Sequence, residues 1–173
     1  MLKAEGLIDD TWLDPSALER GTAVHEATQF YDEGDLDEST LDPVVVPYLD
    51  GWKKFRADTG CEIVFIETDV EHPTLFYKGR PDRGLIVNDR FFITDIKSGS
   101  VAFWHRIQLA LYAMAYGAMN DTGNPRRAGV ILPGNGNYSF VEYKDRDDYT
   151  VAKAIITLTN FRRQHANRHA RST

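Results

Sequence analysis

Cysteine is almost absent: Cys61 stands alone in 173 residues. An internal disulfide and any four-cysteine zinc or iron–sulfur site are thereby excluded. Long apolar runs are missing too, and none approaches the roughly eighteen residues a membrane-spanning helix requires. Residues 1–10 carry Lys3, Glu5, Asp9 and Asp10 and no apolar stretch of signal-peptide length. These lacks lead to the expectation of a cytoplasmic protein with no membrane association. No repeat, low-complexity tract or Pro/Gly-rich linker divides the chain, so a single domain over 1–173 is expected. What is present suits a packed core: 42% hydrophobic residues, with nine Phe, eight Tyr and three Trp.

The net charge of −6 is unevenly spread. Residues 1–50 hold thirteen acids against two bases, a balance of −11, whereas 51–173 hold thirteen against eighteen, a balance of +5. The last thirteen residues include Arg162, Arg163, Arg168 and Arg171 and no acid. An acidic front and a basic remainder would let a polyanion approach one side. A solvated acidic helix pair beside an ordinary surface would give the same composition.

Element order follows from periodicity and stop signals. Asp14-Pro15 caps a helix over 15–33 that Gly34 ends. A second helix is predicted over 43–57, burying Val45, Leu49, Trp52 and Phe55 before Thr59-Gly60. Residues 61–70 are β-rich, and 76–87 with 90–96 form a hairpin around Asn88-Asp89. A helix over 103–119, a hairpin of 127–132 and 138–143, and a last helix from about 147 to 164 complete the chain. The order α-α-β-β-β-α-β-β-α implies an α/β fold with a central mixed β-sheet flanked by helices. Its parts are an acidic helical portion (1–60), a catalytic core (61–145) and a C-terminal helix with a basic tail (146–173).

The chemistry collects in Gly79-Arg80-Pro81-Asp82-Arg83 and Thr94-Asp95-Ile96-Lys97. A two-residue turn at Asn88-Asp89 puts Asp82 opposite Asp95, with Cβ atoms about 5 Å apart. Lys97 falls on that same face by strand alternation. Two facing carboxylates repel, and a divalent cation removes the conflict. The lysine can then polarise a water or neutralise phosphate charge. Taken alone, Asp-x-Lys is most often a surface ion pair. Glu67, on the preceding strand, would reach the site if that strand neighbours the hairpin. Gln108 and Tyr112 share one face of the following helix, which is otherwise apolar. His25, one turn after Gly21, could offer an imidazole nitrogen to the same cation, while Gly21 would allow another backbone to approach.

In order and spacing these residues resemble the RecB-like branch of the PD-(D/E)XK nuclease superfamily. Gly21 through His25 matches its Gly-x-x-x-His, Gly79 and Asp82 its Gly-x-x-Asp, Asp95 and Lys97 its Asp-x-Lys, and Gln108 and Tyr112 its Gln-x-x-x-Tyr. The resemblance, which covers about 21–112, implies a restriction-endonuclease-like core. It also implies His25, Asp82 and Asp95 as ligands of one or two Mg²⁺ or Mn²⁺ ions, and Lys97 assisting the attacking water. Gln108 and Tyr112 would support that lysine and the substrate; in the mechanism expected here, Glu67 would complete a second metal site or an outer shell. The small size and acidic leading helices are similar to phage or prophage exonucleases of the group. Many relatives hold an iron–sulfur cluster with four cysteines, which Cys61 alone cannot do, and no Walker motif is present. The expected activity is metal-dependent hydrolysis of DNA phosphodiesters, as an exonuclease in a bacterial or phage-infected cell. A recombination or single-strand annealing protein is the partner this would imply. A structure-specific endonuclease and a non-catalytic DNA-binding module are the alternatives.

Overall fold

The computed structural model describes residues 14–169, with side chains as far as His165. The arginines at 168 and 171, expected to contact phosphate, therefore have side chains outside the described residues.

The first helix, α1 (Pro15–Glu33), has the predicted bounds. Asp14 Oδ1 accepts from Ser16 N at 3.0 Å, and Gly34 closes the helix in the left-handed region at φ +80°. The second, α2 (Val46–Thr59), starts three residues later than its periodicity suggests, because 42–45 form a turn held by Val45 N–H on Asp42 O at 2.8 Å.

The β region is more divided than the sequence suggests. The stretch over 61–70 becomes β1 (Glu62–Ile66) and β2 (Val70–His72), and the stretch over 76–87 becomes β3 (Tyr77–Gly79) and β4 (Arg83–Val87). Glu67, at φ +44°, breaks the first. Pro81, which has no N–H to donate to a ladder, breaks the second. Strands β2 and β3 then pair with each other as a separate two-stranded sheet. The longest strand, β5 (Arg90–Ser98), follows a turn at which Asn88 and Asp89 both have positive φ, as a type I′ hairpin requires.

After β5 come α3 (Trp104–Met119), β6 (Arg126–Leu132), β7 (Ser139–Glu142) and α4 (Asp147–His169). The main sheet has the order β1-β4-β5-β6-β7 and is antiparallel except where β5 runs parallel to β6. A parallel pair needs a crossover, and α3 supplies it. The sheet is thus mixed and flanked by helices, as the element order implied.

Side-chain alternation along β5 separates two cores. Phe92 and Ile96 join Val24, Leu49, Trp52 and Phe55 of the α1–α2 layer. Ile93 instead packs with Leu109 and Ala113 of α3. Asp95 and Lys97, in step with Ile93, therefore belong to the α3 face. No helix among the described residues is long and apolar enough to cross a membrane.

Candidate active site

Strand β5 outruns β4. Their ladder ends at Arg83 opposite Thr94, so the stretch from Asp95 to Ser98 pairs with β6 on one side and has no β4 partner on the other. The register is the one the hairpin predicted, but Asp82 lies one residue before β4 and is not a ladder partner of Asp95. Instead its carboxylate fills the gap that β4 leaves. Asp82 Oδ2 accepts the free backbone N–H of Ile96 at 2.6 Å. Pro81 thus stops the strand at the position that frees Asp82 for this contact.

Three segments converge on Asp82, β5 through that N–H and two others. His25 Nδ1 of α1 lies 3.4 Å from Asp82 Oδ2. Glu67, after β1, donates its backbone N–H to Asp82 O at 2.9 Å. Its left-handed backbone is uncommon for a residue with a side chain, and such strain collects at functional sites. One ligand atom from each of His25, Glu67 and Asp82 lies within 4.8 Å of the others. Octahedral bonds of about 2.1 Å put ligand atoms about 3–4 Å apart, so this triplet fits a divalent cation with small side-chain adjustments. Among the described residues, Glu67 is the carboxylate that lies close to both His25 and Asp82. The expected third ligand, Asp95, is ion-paired with Lys97 beside them.

The electrostatics are those of a site awaiting positive charge. Burial, then the nearby Asp95 carboxylate, pushes the Asp82 carboxyl well above its usual range. Burial likewise raises Glu67, against the opposing pull of Arg83 and Arg80. His25 is lowered by burial, partly offset by Asp95, and stays neutral as a metal ligand must. Burial alone would lower Lys97, but the Asp95 and Asp82 carboxylates outweigh it and raise its value. Lys97 is thus an ammonium at neutral pH.

The flanking helix adds Gln108 and Tyr112. Gln108 Nε2 donates to the Tyr112 hydroxyl at 2.8 Å, while Gln108 Oε1 is buried without a protein hydrogen-bond partner. A Cβ at Gly79 would come within 2.4 Å of the Tyr112 ring, which is a physical reason for glycine three residues before Asp82. Gly21 has no such constraint: a Cβ there would make ordinary contact with Ser98 Oγ at 3.6 Å. The close backbone approach expected at Gly21 is therefore not what its position requires.

Several contributors escaped sequence reasoning. Arg83 is fully buried and donates to Asp82 O at 2.7 Å through Nη1 and to Asp32 Oδ2 at 2.8 Å through Nε. Asp32 also accepts from Arg56 Nη1 at 2.6 Å and from Trp52 Nε1 at 3.0 Å. This network fixes the backbone of Asp82 from behind, and no short-range pattern links residues 51 positions apart. His105 is buried, and its Nδ1 accepts Ala102 N–H at 3.1 Å. Burial, then the nearby Lys97 charge, lowers it to about 4. Its spacing with Gln108 and Tyr112 on one helical face was the available signal. All of the sequence-selected residues except Asp95, Gln108 and Tyr112 line one cavity of about 680 Å³, together with His105.

Comparisons with known proteins bear on the family and the fold. The family model described as the PD-(D/E)XK nuclease superfamily matches residues 42–172. A solved structure of a Eubacterium rectale protein assigned as an exonuclease superposes with a TM-score of 0.57 at 12% identity, covering 94% of this chain and 70% of that one. An alkaline exonuclease from Laribacter hongkongensis is a more distant structural match, with a TM-score of 0.36 at 16% identity over 95% of this chain and 80% of that one. No curated protein matches the sequence significantly.

Proposed function

This chain belongs to the PD-(D/E)XK nuclease superfamily, and we propose from that premise that it is a metal-dependent deoxyribonuclease that degrades DNA from strand ends. The observation that carries the reading is the convergence of His25, Glu67, Asp82 and Lys97 on one cavity, with Lys97 ion-paired to Asp95. Paired hard oxygens with one imidazole suit Mn²⁺ or Mg²⁺, with Mn²⁺ favoured by the nitrogen ligand. Bound there, the cation would lower the pKa of its water and offset charge on the phosphate.

The remaining roles fall to the chain. In hydrolysis a water oxygen bonds to phosphorus as one P–O ester bond breaks, leaving a phosphate monoester and a hydroxyl. Lys97 is charged, which supports a role as hydrogen-bond donor to the water or to a phosphate oxygen, not as the base. Asp95 holds that ammonium in place. Gln108 is hydrogen-bonded to Tyr112, whose ring is seated over Gly79, and the two would support the pair. The exonuclease reading draws on the Eubacterium rectale structure, described as an exonuclease, and on the need to restrain a site that contacts backbone only.

The test compares linear duplex with covalently closed circular DNA at equal mass, with Mg²⁺ or Mn²⁺. Linear DNA should be degraded to short products while the circle persists. Rapid nicking of the circle, absent from an Asp95→Asn control, would replace the exonuclease reading with an endonuclease.

A further inference from the structure

The cavity that holds the site has an unusual charge for a surface that must accept DNA. Among the described residues Lys97 is the one lysine or arginine lining it, and that ammonium is already ion-paired with Asp95. Glu26, Glu67 and Asp82 line it as well. Phosphate contacts of the usual kind, from Lys and Arg, are therefore poorly supplied where the scissile bond must lie.

Apolar side chains also line the cavity. Ala17 and Leu18 of α1 and Ala102 and Trp104 at the start of α3 contribute to its lining. Leu18 is 52% exposed, and Val101 and Phe103, which bracket Ala102, are 41% and 65% exposed. Large apolar groups held this far into water beside a site are an interaction surface, whereas scattered ones need no explanation. The wall is also held firmly. His105 N donates to Ala102 O at 3.1 Å, and Ala102 N donates back to the His105 ring at 3.1 Å. Trp104 packs against the His105 ring, edge to face, with centroids 4.0 Å apart.

Resting on the nuclease reading, we propose that Leu18, Phe103 and Trp104 form a base-stacking subsite for unpaired nucleotides adjacent to the scissile phosphate, making single strands and frayed ends the preferred substrate. A paired duplex hides its base faces everywhere except at its termini, whereas an unpaired strand presents each of them to an aromatic or apolar wall. Stacking tolerates any base, because every base has a π-face. It also supplies affinity without cations, which the carboxylates of a metal site would otherwise neutralise.

The test measures binding of a short fluorescent oligothymidylate by anisotropy with Ca²⁺ present, against the same strand carrying abasic sites at its terminal three positions. Both strands have the same phosphates. The intact strand should bind at least tenfold more tightly, since each stacked base contributes roughly a factor of ten. Phe103→Ala, and Trp104→Leu for a variant that keeps apolar packing, should shrink that difference several-fold at unchanged melting temperature. Phe76→Ala, an equally exposed aromatic on the remote β2–β3 turn, should leave it intact. Equal affinity for the two strands, or no measurable binding of either, overturns the subsite, as does a preference that survives in both wall variants. Hydrolysis with Mn²⁺ is scored separately. A protein that prefers the intact strand yet never cleaves it keeps the subsite and loses the nuclease reading.

Discussion

Asp82 is the residue at which stability and function oppose each other. Its carboxyl is buried, faces Asp95, and is raised well above its unfolded range near 4. The folded state therefore binds the proton more tightly than the unfolded state does. Stability from this group is fully present below about pH 4 and is lost as pH rises through the folded value. In EDTA, Asp82→Asn should then stabilise the protein, by an amount on the order of 1 kcal/mol or roughly 2–4 °C, with more gain at pH 8 than at pH 5. An unchanged or lowered melting temperature at pH 8 would mean that Asp82 carries no such strain. Lys97 makes the complementary case. Lys97→Ala removes a donor from the site, and DNA hydrolysis should slow about a hundredfold or more, the scale of losing one electrostatic stabiliser. Far-ultraviolet circular dichroism should stay unchanged, and a wild-type rate would take Lys97 out of the mechanism.

Two glycines distinguish structural from chemical roles among the elements. Gly79→Ala should displace the Tyr112 ring, 2.4 Å from the added Cβ, lowering both the melting temperature and the rate. Gly21→Ala meets no obstacle in mid-helix and should raise stability by up to about 1 kcal/mol. Equal effects of the two substitutions on thermal melts would refute this reading of Gly79. Asp32→Ala should be worse than either. It leaves the buried Arg83 guanidinium without its carboxylate, a loss of roughly 3–5 kcal/mol, and it should weaken metal binding by loosening Asp82. The same elements show what could be read in advance. Helix α1 was legible because Asp14-Pro15 and Gly34 are local stop signals, and the β4–β5 register because Asn88-Asp89 sets it. Pro81 was a visible warning that residues 76–87 are not one strand. The turn at Glu67 and the Asp32–Arg83 contact have no local signature, because tertiary packing imposes both. The place of Glu67 near His25 was not legible for a related reason: it depends on where β1 ends, and the pattern of residues 61–70 did not mark that end.

At the scale of the whole molecule, the sheet brings together groups spread from residue 25 to residue 112, and each layer supplies part of the site. Helix α1 brings His25, the hairpin brings Asp82, Asp95 and Lys97, and α3 brings Gln108 and Tyr112. The acidic front is not set apart from this site, as the charge distribution had suggested, since α1 forms part of the cavity. Crowded carboxylates in the absence of metal explain why the assembly should depend on a cation for its activity. The decisive measurement is the rate of linear DNA hydrolysis as free Mn²⁺ is titrated from excess EDTA, for the wild type and for Glu67→Gln. The wild type should be silent in EDTA and rise to saturation, and Glu67→Gln should need at least tenfold more Mn²⁺ to reach half its own maximum. Undiminished hydrolysis in excess EDTA, or superimposable Mn²⁺ curves for the two proteins, would contradict the assignment of His25, Glu67 and Asp82 as the metal site.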